Sequence, residues 1–366
     1  MAEYAFLFAD ALTGALKEEM PLKDVKFSSL LNGSGSFFAS LPTHHPKATA
    51  ANVSEGNTII YVVRNQIIVW AGLLWETLTS GGSNSSTITI YGKDLFSYFE
   101  DSDNRGMYIW HDLSYENVDQ LSIARALITY AQSSSIKGPQ ANLNILTGTE
   151  LTTDNGNTQK LRTRNYLAHE LRNVGDAITQ LAALKTGFDF RIDTNYEAGV
   201  PVSRFRLFYP SVGTDLGMSL ELGKNILGYT QMQEAQSQAR RVIVTGQGEG
   251  DLKLTSKAED TVYTSYPMRE ATFSLGDISE QATLDAHAEA QLQRVRQPRR
   301  IPTLVVKSSD PEVGSFVCGD TMNVKIYDGF VQLNQPYKLV QYEVRLDEDG
   351  SEEMTFRFND PEVIRP

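Results

Sequence analysis

One cysteine, Cys318, is all that the chain contains. A lone thiol excludes an intrachain disulfide framework and a thiolate metal cluster, and it fits folding in a reducing cytoplasm. Histidine is also scarce: of His44, His45, His111, His169 and His287, only the first two adjoin. Consecutive side chains diverge on a strand, so that pair makes a poor two-ligand site, and the flanking Pro42 and Pro46 point to an exposed loop. Basic charge is short as well. Against 45 Asp and Glu stand 33 Lys and Arg, a net charge of −12 that argues against binding a phosphate backbone. The one basic cluster, Arg294, Arg296, Arg299 and Arg300, falls at the end of a predicted helix, where the macrodipole favours cations. No run approaches the roughly 18 apolar residues of a membrane span. A secretory signal peptide is not expected, because Glu3 and no basic residue precede a very short apolar run.

Signatures of catalysis are missing too. Neither a Gly-x-Ser-x-Gly elbow, a His-Glu-x-x-His pair nor a Cys–His nucleophile signature occurs. Gly246-Gln247-Gly248-Glu249-Gly250 follows a predicted strand, but no helical apolar period succeeds it, and Glu249 and Asp251 would repel a pyrophosphate. The run from Asp101 to Gly106 partly matches a calcium loop, yet places Arg105 at a ligand position and lacks the closing Glu, so a solvated turn is expected. Trp70, Trp75 and Trp110 read as buried sheet aromatics, with a sugar platform as the alternative. Carboxylate pairs for glycoside hydrolysis are too generic to single out among 45 acids. No catalytic, cofactor-binding or metal-ligating residue is therefore assigned, and the chain is not expected to be an enzyme.

What is present is a β protein. In 366 residues, 41% are hydrophobic, with 16 Tyr and 16 Phe, which suits half-buried strands and two or three compact units. Strands are expected at residues 4–8, in a hairpin over 25–41 around Asn32-Gly33-Ser34-Gly35, at 59–63 and 67–70, and at 87–91. The period then turns helical. Leu121, Ala124, Leu127, Ile128 and Ala131 mark a helix with Asn117 and Gln120 as a capping pair, and residues 133–157 read as an exposed loop. A second helix opens at Asn173, carries Val174, Ile178, Leu181 and Leu184 inward and stops by Gly187. Phe188, Phe190 and Ile192 alternate with Asp189, Arg191 and Asp193 as a half-buried strand paired with 204–209. Sheet returns at 242–245, 304–306 and 323–327, with a helix over 282–296 ended by Pro298. A last hairpin puts Val340, Tyr342, Val344 and Leu346 on one face, turns at 347–350, and buries Met354, Phe356 and Phe358. The expected organisation is mainly β with α+β insertions: a first β barrel over 1–100, an α+β middle region over 101–215, and a second β barrel over 216–366 with a helix inserted at about 281–297.

The order of segments carries a resemblance that no single motif does. FLFADALTGALKEEMPLKDVKFSSLLNGSGSFFASLP (6–42), IIVWAGLLWE (67–76) followed by ITIYGKDLFSYFE (88–100), NVGDAITQLAALKTGFDFRID (173–193), RRVIVTGQGEGD (240–251), ATLDAHAEAQLQRVRQP (282–298) and CGDTMNVKI (318–326) together resemble the minor tail proteins of siphophages of actinobacteria. The likeness spans nearly the whole chain. It implies a tail-hub fold, similar to the baseplate hub proteins of contractile-tailed phages and the N-terminal part of tail-associated proteins. It further implies two related barrels per chain, a homotrimeric ring with pseudo-sixfold symmetry, and a place at the tail tip of the virion after synthesis in the host cytoplasm. Its implied partners are the distal tail or tail tube protein, other minor tail proteins and the tape measure protein. The net charge of −12 adds the expectation of an acidic lumen through which DNA would pass without specific binding. The chain stops shortly after the last hairpin, so no appended lysin or receptor-binding module is expected. Two alternatives stand beside this: a carbohydrate-binding or wall-hydrolysing tip protein, and the hub of a contractile injection machine.

Overall fold

A computed structural model describes residues 2–82, 85–147, 158–184, 186–262, 265–276, 278–297, 299–307, 310–347 and 350–359. Seven strands open the chain: β1 (Tyr4–Asp10), β2 (Leu16–Glu19), β3 (Lys23–Leu30), β4 (Ser36–Pro42), β5 (Thr58–Arg64), β6 (Ile67–Gly81) and β7 (Ser86–Asp94). The expected hairpins all form. β5 shows why its sequence is an unbroken apolar run: Ile60 and Val62 enter one core while Ile59, Tyr61 and Val63 enter another, so both faces are covered. A two-residue loop joins β5 to β6, with Asn65 and Gln66 both at positive φ (47° and 66°), the backbone of a mirror-image hairpin turn.

The middle region contains β8 (Leu113–Asp119), α1 (Gln120–Ala131), α2 (Ser134–Lys137), β9 (Leu161–Tyr166), α3 (Val174–Ala182), β10 (Asp189–Glu197) and β11 (Val200–Phe208). Asn173 caps α3 through the Asp176 amide, as the sequence suggests. The α1 cap differs from expectation. Asn117 sits at positive φ in an irregularity of β8, and Asp119 caps instead, accepting from the Leu121 amide at 3.0 Å. Its second oxygen accepts from the Thr158 amide and hydroxyl, each at 2.7 Å. Asp119→Ala should therefore lower the unfolding free energy by about 1–2 kcal/mol, and Asp119→Asn by less, read from urea midpoints; equal losses would refute the cap. Residues 133–157 are not simply an exposed loop either. Ala141, Leu143 and Ile145 are buried, and the Gln132 amide brackets the Ile145 backbone at 2.9 and 3.1 Å, while 148–157 lie outside the described residues.

The last third holds β12 (Asp215–Glu221), β13 (Ile226–Glu234), β14 (Arg241–Thr245), β15 (Thr255–Glu259), β16 (Glu270–Ser274), α4 (Gln281–Val295), β17 (Arg299–Lys307), β18 (Thr321–Asp328), β19 (Val331–Leu346) and β20 (Glu352–Asn359). β13 pairs directly with β17, so the 64 or so residues between them leave the main sheet. The strand at 242–245 belongs to that excursion. It forms the centre of a separate three-stranded sheet, β15-β14-β16, whose third core α4 covers with Leu284, Ala288 and Leu292. In the final hairpin a bulge between Leu339 and Gln341 shifts the alternation, burying Leu339 and leaving Val340 half-buried. Residues 83–84, 298 and 348–349, within segments the sequence assigned to loops, a helix stop and a turn, lie outside the described residues, as does the end of the chain from 360.

β19, at 16 residues, organises the whole. One edge pairs with β20; the other pairs first with β18 and then with β3, Val344 lying opposite Phe27. The two ends of the chain thereby share a 13-stranded sheet. They also share one core that runs from Phe6 to Phe358. A second core joins β5 and β6 to α1, α3, β10 and β11.

Candidate assembly site

Where the units meet, buried charge holds them. Asp189, expected on the polar face of a half-buried strand, is only 3% exposed. It accepts from Asn32 Nδ2 at 2.8 Å in the β3–β4 turn, from the Val212 amide at 3.0 Å, and from Lys338 Nζ at 2.5 Å on β19. One carboxylate thus ties three regions distant in sequence. Beside it the chain passes itself closely: a Cβ on Gly213 would fall 1.9 Å from the Gly319 carbonyl oxygen, and Gly213 has φ +106°, so glycine is required there. A second joint pairs Arg64, at the end of β5, with Glu352 of β20 at 2.6 Å; Tyr4 Oη donates to the same carboxylate at 2.7 Å. A third lies between β9 and α4. There Arg164 donates to His287 Nε2 at 3.3 Å, and burial, aided by Arg164, Arg162 and Arg294, pushes the imidazole down to about 3. In sequence these residues look like any surface charge. Only their flanking apolar neighbours, such as Tyr337 and Leu339 around Lys338, hint at burial.

The residues weighed for chemistry do not converge. Trp70 is buried as expected, its indole N–H bonded to the Ser28 carbonyl at 2.9 Å. Trp75 and Trp110 are not: they are 40% and 50% exposed. Lys137 Nζ lies 4.4 Å over the Trp110 ring, so the chain's own cation covers it, while Trp75 donates to Ser97 Oγ at 2.8 Å. His44 contacts Ser86 Oγ and His45 accepts from the Lys47 amide, and the two share no ligand. The glycine-rich segment after β14 leads into a three-residue turn, Gly250–Leu252, not an α-helix. The segment 101–106 closes by reciprocal Ser102–Arg105 backbone bonds, with Asp103 and Asn104 at positive φ. Of the basic cluster, Arg294 reaches the Ala183 carbonyl at the C-terminal end of α3, a macrodipole contact with a different helix from its own. The Arg299 and Arg300 side chains lie outside the description. Among the described residues no group of three His, Cys, Asp or Glu is placed to hold a metal. Cys318 is buried, which pushes its thiol up to about 12 and leaves it unreactive at neutral pH.

The outer boundary looks different. β13 ends one side of the main sheet and β2 the other. Leu227 and Met232 on β13 are 64% and 52% exposed, and Leu16 on β2 is equally bare. At the tip of the β18–β19 hairpin, Phe330 and Tyr327 are 88% and 63% exposed. Unpaired edges carrying apolar side chains are surfaces that a sheet protein either guards or covers.

No protein-family model matches this chain, and neither does any curated protein. Solved structures do. The 43 kDa tail protein of prophage MuSo2 from Shewanella oneidensis has a TM-score of 0.64 at 11% identity over 99% of both chains. The tail protein from Neisseria meningitidis MC58 has a TM-score of 0.60 at 15% identity, covering 99% of this chain and 98% of that one. A chain of the Francisella PdpA–VgrG complex has a TM-score of 0.56 at 9% identity, covering 100% of this chain and 59% of the longer one. The fold is mainly β and is the one these tail proteins share.

Proposed function

We propose that this protein is a structural hub of a bacteriophage tail tip, three copies closing a ring between the tail tube or distal tail protein and the distal tip proteins. The observation that carries the reading is the end-to-end likeness to tail proteins, 98–99% of both chains. The rigid charged joints suit a load-bearing part, and the bare edges β2 and β13 supply surfaces that copies could cover. Obligate rings of this kind bury on the order of 2,000 Å² per interface. Two related β units per chain, as the sequence resemblance implies for 1–100 and 216–366, would give such a ring six modules to set against a sixfold tube.

Light scattering over a concentration series tests the ring. A stable species three times the 40.7 kDa chain is expected, and a monomer at every concentration would overturn it. From the net charge of −12 we further propose that acidic side chains line the lumen, so that DNA passes without sticking; a Lys- and Arg-lined channel in a structure of the ring would refute that. The likeness to a chain of the PdpA–VgrG complex supports a second reading, the hub of a contractile injection machine, with the same ring and different neighbours.

A further inference from the structure

The three joints differ in kind. Asp189 with Lys338 and Arg64 with Glu352 pair opposite charges, whereas the joint between β9 and α4 sets a cation against a neutral ring. What that joint holds is the excursion between β13 and β17. Its core, built on Val242, Val244, Leu284 and Leu292, shares no residue with the other two cores.

The neck of this unit is narrow. β17 pairs with β13 from Arg299 opposite Glu234 to Val306 opposite Ile226, but with β20 only from Thr303 onward. Residues 231–234 and 299–302 therefore form a two-stranded ribbon that runs beyond the main sheet, and both ends of the unit leave through it. Two-stranded ribbons twist more than wide sheets and are only marginally stable by themselves.

On the far side of the unit, α4 faces two ways. Leu284, Ala288 and Leu292 turn to the unit's own core. His287 and Arg294, two turns apart on another stripe, turn to the middle region. There His287 accepts from Arg164 at 3.3 Å and Arg294 donates to the Ala183 carbonyl at 3.2 Å. Among the described hydrophobic residues, Ala286 is the one that the unit lends to the second core. A polar contact thus carries much of the docking.

The charges around His287 are positive. Arg162 and Arg164 act on it from β9, and Arg294 from its own helix. Tyr115, opposite Arg164 on β8, is a phenol that burial keeps neutral in acid. The carboxylates of Glu280 and Asp119 act on Arg162, and Asp119 is already engaged by the Leu121 amide and Thr158. Among the described residues no carboxylate is bonded to His287 or Arg164.

We propose that residues 235–298 form a hinged arm that swings away from the middle region in acid, turning on the β13–β17 ribbon, with the Arg164–His287 contact as its latch. A proton on Nε2 removes the acceptor and adds a fourth cation to three. Swinging out returns the imidazolium to water and leaves the arm's core intact. Docking holds His287 at about 3, against 6.5 in water, so the open-to-docked ratio rises about tenfold for each pH unit lost within that window. The device lies within one chain and does not depend on the ring.

The test reads Förster transfer on the full-length protein, labelled chains being diluted into unlabelled ones so that only transfer within a chain counts. Cys318 is buried and stays unlabelled. Glu116→Cys with Lys257→Cys spans the joint, and Lys257→Cys with Gln293→Cys lies within the arm; all three positions are exposed. As pH falls below 6.5, transfer across the joint should drop reversibly while transfer within the arm stays constant. His287→Gln should hold the cross-joint signal in acid where the parent loses it. At neutral pH His287→Arg, always a cation, should lose that signal, and His287→Met, long but uncharged, should keep it. Cross-joint transfer that persists until the signal within the arm is lost too, an equal acid response in His287→Gln, or equal behaviour of the Arg and Met variants would each overturn the proposal.

Discussion

Lys338→Met should lower the unfolding free energy by about 3–5 kcal/mol, among the largest effects of any single substitution of a charged residue in this chain. The methionine keeps most of the stem's packing, so the loss isolates the ammonium. Asp189 would then remain in a site where it is 3% exposed, with only the Asn32 amide and the Val212 N–H to offset its charge. Adding Asp189→Asn should recover part of the loss, since an uncharged amide needs no counter-ion. Guanidinium denaturation of the single and double variants measures both steps. The same experiment should show the β18–β20 region unfolding separately from the middle region in Lys338→Met, because the pair joins β19 to β10. A loss under about 1 kcal/mol, with one unchanged transition, would mean that the pair acts like an exposed surface bridge.

Acid should weaken the protein through His287. Its folded-state value is pushed down to about 3, against about 6.5 unfolded. The depressed group is neutral in the native state, so its stabilisation is complete above pH 6.5 and is lost as pH falls from there toward 3. The slope contributed is roughly 1.4 kcal/mol per pH unit. Burial is the main cause and Arg164 acts in the same direction: a guanidinium only donates, so His287 Nε2 must stay unprotonated to accept at 3.3 Å. His287→Gln retains an acceptor and never titrates. Between pH 6.5 and 4.5 its unfolding free energy should fall less steeply than the parent's by about that slope, and parallel lines would refute the assignment. Differencing the two proteins removes the carboxylates common to both.

Local order was readable from the residues. The alternation of Phe356 and Phe358 with Arg357, the helical spacing of Leu121 through Ala131 and the Asn173 cap all reappear in place. The misplaced α1 cap and the shifted face at Val340 share one cause. A bulge adds a residue to a strand without leaving a compositional mark, and it moves everything that is counted from it. The residues at 242–245 mark a strand but not that it lies in a separate three-stranded sheet, because period-2 patterning reports a buried face and not the identity of the neighbouring strand.

The amino-acid order by itself determined the strand-rich class, the longer helices and, through the order of its segments, the tail-protein resemblance. These are local or compositional properties, set by side-chain period and by which residue types are present. Tertiary structure alone decided that β19 would sew the two ends into one sheet and that Asp189, Lys338, Arg164 and His287 would be buried. Each of those depends on contacts between residues up to about 300 positions apart, and a charged side chain carries no local sign of which distant surface will close over it.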